Sequence, residues 1–206
     1  MKNKTRTLAV GGLLAALMIV MRVLGIDIIP IPPAGVAVSH IPVVLGTILG
    51  GLPVGMFLSL IFGGVSLYQA YTTPMALAPA FMNPLVSILP RLLIPVAVWA
   101  VSKLIRYKND GNVWRVGVLA VLGSLANTVF VLTALGLLYS DLLVTGLGIS
   151  PNAVFAFLGG IALTNGLPEA AACALICIPV VKALARVYKP RGDEQIPDET
   201  PEQEQP

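Results

Sequence analysis

Residues 40–67 read HIPVVLGTILGGLPVGMFLSLIFGGVSL, twenty-eight positions without one Asp, Glu, Lys or Arg. A stretch this apolar belongs in lipid or in a large core. It is also interrupted. Gly51, Leu52 and Pro53 form a turn signal, so the run divides into a helix over 40–50, a tight turn, and a second helix to about Tyr68. At 1.5 Å per residue the first piece covers only about half of a ~30 Å hydrocarbon layer. A broken or partly re-entrant membrane helix is the expectation.

The rest of the chain agrees with lipid as its solvent. Of 206 residues, 56% are hydrophobic and 11% charged, and the mean hydropathy is +0.88. Soluble domains carry roughly 25% charged residues. Outward from the quoted stretch, a first helix is expected over Leu8 to Gly25, retained rather than cleaved as a signal peptide because further spans follow. Ile26 to Ser39 reads as an ordered loop, punctuated by Asp27, Pro30, Pro32, Pro33 and Gly35. Gln69 to Met82 is a second loop. Asn83-Pro84 is a helix start, with Asn as cap and Pro in the first turn, and that helix runs to about Arg106. A fifth helix spans about Arg115 to Tyr139, and Ser140 to Gly148 is a third loop. A short helix begins at Ser150-Pro151 and ends near Gly159-Gly160, and the last span covers Asn165 to Val187. From 190 to 206 the sequence is acidic and Pro-rich with almost nothing apolar, which predicts a disordered tail.

Orientation follows from Lys and Arg, which favour the cytoplasmic side. Lys2, Lys4, Arg6, Lys103, Arg106, Lys108, Arg115, Lys182, Arg186, Lys189 and Arg191, eleven of the thirteen basic residues, fall on one side in a model with six spans. Five or seven spans would scatter them. The expectation is therefore an all-α polytopic membrane protein with six transmembrane helices, both termini cytoplasmic: a membrane domain over 1–189 and a tail over 190–206. The net charge of +3 is accounted for by this sorting and by anionic headgroups, with no nucleic-acid partner.

Charges inside a span cost about 2.5–3.5 kcal/mol on insertion scales and usually face a cavity or a partner. Arg91 and Glu169 are such residues. They lie roughly 12 Å and 6 Å below the outer ends of their helices at 1.5 Å per residue. Asn165 is one turn from Glu169, Asn127 is near mid-helix, and Asn83, His40 and Tyr71 sit at outer helix ends. Together they outline an outward-facing polar site. Each also has a plainer reading. Arg91 and Glu169 can pair, Asn127 can join helices, Asn83 can simply cap, Arg22 can snorkel, and His40, Tyr68 and Tyr71 can be interfacial. An arginine near a helix N-terminus suits a carboxylate; Glu169 and the asparagines suit hydroxyls and amides. That chemistry describes a small anionic organic ligand.

On helix one, Gly11 with Ala15 and Gly12 with Ala16 are small-xxx-small pairs, for packing inside the protein or against another membrane subunit. Cys173 and Cys177, four apart on one helix, read as core hydrophobes; a disulfide there would be strained. With one His in the chain, no metal set exists, and no cofactor is expected. There is no phosphate loop, HExxH or GxSxG, so neither an ATPase nor a hydrolase is expected. A secondary transporter, or a membrane enzyme using Glu169, are the alternatives.

Four segments in order, residues 40–67, NPLVSILPRLLIPV (83–96), GSLANTVFVL (123–132) and NGLPEAAACALI (165–176), resemble the substrate-binding S components of energy-coupling factor transporters. The resemblance covers nearly all of the chain to Lys189. It implies six helices in the bacterial plasma membrane that capture a vitamin from outside and deliver it through a transmembrane coupling subunit and two ATPase subunits. It further implies docking through the small-residue face of helix one, at Gly11, Gly12, Ala15 and Ala16, and a toppling motion in the membrane. The family has alanines where this chain has Gly11 and Gly12. The run from His40 through the NPL…PR segment is most similar to pantothenate-type members, and pantothenate's carboxylate, hydroxyls and amide suit Arg91, Asn127 and Glu169. Niacin, biotin and lipoate remain open.

Overall fold

The computed structural model describes residues 2–31, 34–74, 77–108 and 111–188. The acidic tail over 190–206 lies outside the described residues, as do Lys189 and Arg191. The elements are α1 (Lys2–Val23), a hairpin of β1 (Ile28–Ile31) and β2 (Ala34–Ala37), α2 (Ile41–Thr72), α3 (Ala78–Phe81), α4 (Pro84–Ser87), α5 (Leu89–Leu104), α6 (Val113–Leu138), α7 (Ser140–Leu147), a 3₁₀ turn at Pro151–Ala153, α8 (Val154–Thr164) and α9 (Gly166–Tyr188). Four stretches are long and apolar enough to cross a membrane: Ile41–Thr72, Pro84–Leu104, Val113–Leu138 and Pro151–Leu184.

The first of these is not a rod. Gly51 adopts φ 76°, ψ −173° inside it, a conformation open to glycine and strained for other residues. Beyond that point the chain folds back. A Cβ built on Gly46 would collide with Leu58, and one on Gly55 with Thr47. In a continuous helix those pairs would be about 18 Å and 12 Å apart at 1.5 Å per residue. The arms therefore lie side by side, and the turn falls at Gly51-Leu52-Pro53, where the sequence put it. The absence of side chains at Gly46 and Gly55 is what lets the arms touch.

The second arm runs antiparallel to α5: Gly63 abuts Ile88 and Gly55 abuts Pro95. The first arm meets α5 and α6 where Val44 Cγ2 and Val98 Cγ2 each come within 2.8 Å of the point a Cβ on Gly123 would occupy. Any side chain at Gly123 would push that crossing apart. α6 pairs antiparallel with α9, with Gly117 beside Ile178 and Gly166 beside Thr128. α1 closes the remaining side, Gly11 facing Val54 and Leu14 facing Gly46. The main core gathers Leu14, Met18, Val44, Leu58, Ile94, Val98, Leu119, Cys173, Cys177 and Val181. Cys173 and Cys177 are free and buried in it, as small apolar residues.

Several sequence boundaries move. Ile26 to Ser39 is not only a loop: it carries the antiparallel hairpin, with Ile28 opposite Ala37 and Ile31 opposite Ala34. Pro30 is tolerated because both strands of a two-stranded ribbon are edges. Val38 N donates to Asp27 O (2.9 Å) at the base of the ribbon, and Asp27 pairs with Arg22 of α1, so Arg22 is held by a carboxylate. The second loop is shorter than expected because α2 continues to Thr72 and α3 follows. Ser140 to Leu147 is helical, not loop, and is closed by Gly148 in the left-handed region. The helix begun at Pro151 does not stop at Gly159-Gly160; it runs to Thr164, and a single residue, Asn165, separates α8 from α9. Pro168 explains the break, since it has no N–H to bond the Thr164 carbonyl.

Candidate functional site

Val44, Val98 and Gly123 meet at a tight crossing, with both valines almost fully buried. One helical turn from these residues, toward the hairpin, stand His40, Ile94 and Asn127, and beside Asn127 is Thr128, which bonds Glu169. Arg91 lies within a further turn along α5. The antiparallel pairing brings His40, Thr128 and Glu169 together, with Asn127 next to Thr128 in the chain, while Arg91 is buried against Phe62, Phe81 and Ser66.

Arg91 is positioned by the short helix before its own. Asn83 caps α4, its side chain accepting from Leu85 N at 2.9 Å, and α4 delivers Val86 O to Arg91 Nη1 at 2.6 Å. Arg91 Nη2 donates to Ser66 Oγ at 3.2 Å. The guanidinium lies between the rings of Phe62 and Phe81, with Cζ 5.5 Å and 5.4 Å from their centroids. A bond from Ser87 Oγ to Phe81 O fixes the second ring's backbone. Arg91 is 7% exposed, and its Nε has no partner. Among the described residues no carboxylate pairs with it; the ion pair found is Arg22 with Asp27. Arginine has five N–H donors, so two are spent on the protein and the rest of the fork is unused.

Glu169 is differently committed. Its Oε1 accepts from Ala37 N of β2 at 3.1 Å and its Oε2 from Thr128 Oγ1 at 3.4 Å. The same hydroxyl lies 3.4 Å from Ser124 O, and its single proton serves one of them at a time. Glu169 therefore ties the hairpin to α6 and α9. Glu169→Ala would orphan the Ala37 amide. The expected results are a stability loss of about 1–3 kcal/mol and faster hydrogen exchange at Ala37, while Val38, bonded to Asp27 O, keeps its protection. Unchanged exchange at Ala37 would show that the bond does not constrain the ribbon.

His40 precedes α2 without capping it through its side chain. It is fully buried, beside Glu169 and Cys173; the Cys173 thiol is the polar contact of its ring, and neither ring nitrogen has an oxygen or nitrogen partner. Asn127 Oδ1 is likewise buried and unpartnered. The other candidates are placed otherwise. Asn83 Nδ2 donates to Tyr139 Oη at 3.0 Å, which with its cap occupies both ends of the amide. Asn165 Oδ1 accepts from Thr164 at 3.2 Å. Tyr71 is exposed on the last turn of α2. Sequence reasoning passed over Thr128, Ser66, Phe62 and Phe81. Thr128 adjoins Asn127 and was open to detection as a polar residue at the same depth; the others are visible only once the helices are paired.

Helix one also divides. Gly11 and Ala15 face inward, Gly11 against Val54 and Ala15 within the core. Gly12 has open space where a Cβ would be, and Ala16 is exposed.

Four apolar helical stretches are long enough to cross a bilayer, and among the described residues the buried Arg91 has no carboxylate partner, features of a membrane protein. The chain belongs to the substrate-specific component family of ECF transporters, whose family model matches residues 6–181. It is similar to the pantothenic acid transporter PanT of Lactococcus lactis subsp. cremoris (strain MG1363), with 27% identity over 201 residues, covering 90% of this chain and 96% of that protein. It is accordingly a transport protein of the membrane and not an enzyme.

Proposed function

We propose that this chain is the capturing subunit of an ATP-driven importer, taking a small carboxylated vitamin from outside, with pantothenate favoured, and passing it to a coupling subunit and two ATPase subunits. The observation that carries the reading is Arg91, a buried cation without a carboxylate partner among the described residues, its plane set between Phe62 and Phe81. The ligand's carboxylate takes the unused edge of that fork. His40 and Asn127 contact the remainder of the ligand. Glu169 and Asn165 shape the site from α9, Asn83 from α4, and Tyr71 lies at its outer margin. Gly12 and Ala16 meet the coupling subunit, and Gly11 and Ala15 set the helix against α2.

The chain crosses the membrane six times, with both termini cytoplasmic. α1, the two arms of α2, α4 with α5, α6, and α8 with α9 supply the passes. Support comes from the reversal at Gly51 and from the clustering of Lys103, Arg106 and Arg115 at the junction of α5 and α6. The pairing of Gly117 with Ile178 brings Lys182 to that same end. Lys103 lies over the Trp99 ring at 5.9 Å, an arrangement suited to a headgroup boundary.

The test is equilibrium binding of radiolabelled pantothenate to the purified chain, with native mass spectrometry for a co-purified ligand. One saturable site is expected. Absence of binding to pantothenate, niacin, biotin and lipoate would overturn the assignment, and concentrative uptake by the chain alone in liposomes would replace it with a stand-alone transporter.

A further inference from the structure

Polar groups buried without partners are uncommon, because a lost hydrogen bond to water is not recovered. Among the described residues this fold leaves His40 Nδ1 and Nε2, Ser59 Oγ, Ser124 Oγ, Asn127 Oδ1 and Arg91 Nε in that state. The serines are the least informative. Ser59 and Ser124 sit inside helices, where a hydroxyl can turn onto the carbonyl four residues back. His40 has no such recourse. It precedes α2, so no helical turn lies upstream of it, and its ring is rigid and fully buried. Its neighbours do not answer it either. The Glu169 oxygens accept from Ala37 and Thr128 and make no hydrogen bond with the ring. Cys173 touches the ring, but it also lies 3.8 Å from Cys177, sulfur to sulfur, and a thiol is a weak hydrogen-bond partner. Asn127, one turn from Gly123 on α6, is next in the chain to Thr128, which bonds Glu169.

We propose that His40 and Asn127 form a second subsite, separate from the Arg91 fork, that reads a hydroxyl on the far part of the ligand, with His40 the specificity-determining residue. The proposal rests on the receptor reading above and adds the second half of the ligand's description. An imidazole with one N–H offers one donor and one acceptor. A hydroxyl both donates and accepts, so one such group can accept from the ring N–H and donate to Asn127 Oδ1, and a second hydroxyl can donate to the other ring nitrogen. An alkyl group there would leave His40 and Asn127 orphaned in the complex. Sites built to bond a hydroxyl reject the analogue lacking it far more strongly than apolar pockets reject an added group. The ligand class is therefore a monocarboxylate carrying hydroxyl groups at its other end, as distinct from a carboxylate on an unsubstituted alkyl or aromatic body.

The experiment measures binding of pantothenate and of its analogue with both hydroxyls replaced by hydrogen, to the unmodified chain, His40→Phe and His40→Gln, with thermal unfolding of each ligand-free protein. The unmodified chain is expected to prefer pantothenate by roughly 10- to 100-fold, the range for leaving buried partners unpaired. His40→Phe is expected to bind both compounds equally, and His40→Gln to keep part of the preference. The unfolding midpoint of His40→Phe should stay level or rise. If His40→Phe retains the full preference, the subsite is wrong. If its midpoint falls and both ligands weaken by the same factor, His40 is a structural residue and the proposal is overturned. Failure of the unmodified chain to bind pantothenate at all overturns the pantothenate reading, and this proposal with it.

Discussion

Arg91→Met removes carboxylate binding and leaves a protein that unfolds at the same temperature as the original or a higher one. Truncating one partner of a buried, hydrogen-bonded charge pair costs about 2–5 kcal/mol of binding, or roughly 30- to several-thousand-fold in affinity. Stability moves the other way because Arg91 has no carboxylate in the described fold to compensate its burial. An apolar isostere that removes a poorly compensated buried charge is often neutral or stabilising. Methionine has nearly the length of the arginine stem, and it places a thioether between Phe62 and Phe81, where sulfur–aromatic contacts contribute about 0.3–1.5 kcal/mol. The bonds lost to Val86 O and Ser66 Oγ offset part of that gain. The measurement is paired: thermal unfolding with and without pantothenate. The original chain should be shifted upward by ligand according to RT ln(1 + [L]/Kd), and Arg91→Met should show no shift. A ligand-induced shift of the original size in Arg91→Met would take Arg91 out of the site.

That opposition between stability and function separates a receptor arginine from a structural one. Arg91 also joins α5 to α2 and α4 through Ser66 and Val86, so the paired measurement of stability and binding is what distinguishes the two roles. The acid nearest to hand in the sequence reading, Glu169, bonds Ala37 and Thr128 instead. The two in-membrane charges thus have separate duties: one organises the hairpin, and the other is left unpaired.

The parts of this arrangement legible in the sequence were those governed by local chemistry. Asn83-Pro84 announced a cap, and the side chain of Asn83 does accept from Leu85 N. Gly51-Leu52-Pro53 announced a reversal, which the backbone of Gly51 makes. Depth along each helix was also readable, because a helix rises 1.5 Å per residue, and this put Arg91 roughly 12 Å and Glu169 roughly 6 Å inside their helices, with Asn127 near mid-helix. What sequence could not supply was azimuth and partnership. Gly11 and Gly12 are adjacent in the chain and face opposite surroundings. Asn83 looked available but is spent on Tyr139. The strands at 28–31 and 34–37 were hidden because their pairing depends on a backbone ladder that proline-rich sequence does not advertise. The helix through Gly159-Gly160 persisted because glycine costs a helix only about 1 kcal/mol relative to alanine, and the true break came from Pro168.

The azimuth of α1 yields the other large effect. Gly12→Leu and Ala16→Leu are expected to leave folding and pantothenate affinity unchanged and to reduce ATP-dependent uptake by the assembled transporter to background. A Cβ at Gly12 meets nothing within 4 Å, so a side chain there projects away from this protein. Replacing Gly by Leu within a helix also recovers up to about 1 kcal/mol of helix propensity. No internal reason exists for either variant to fail. A partner helix packed on small residues has every reason to be displaced, since close approach is what such residues provide and leucine removes it. The neighbouring pair supplies the control. Gly11→Leu must displace Val54, whose Cγ1 is 3.4 Å from the built Cβ, and Ala15→Leu must enter the core. Overpacking of this kind costs typically about 1–3 kcal/mol, so these two variants should lower the unfolding temperature, and with it uptake. Uptake that survives Gly12→Leu and Ala16→Leu would mean the coupling subunit sits elsewhere. Binding and uptake that fall together in those variants would mean the outward face of α1 supports the fold itself, in conflict with the open space beside Gly12.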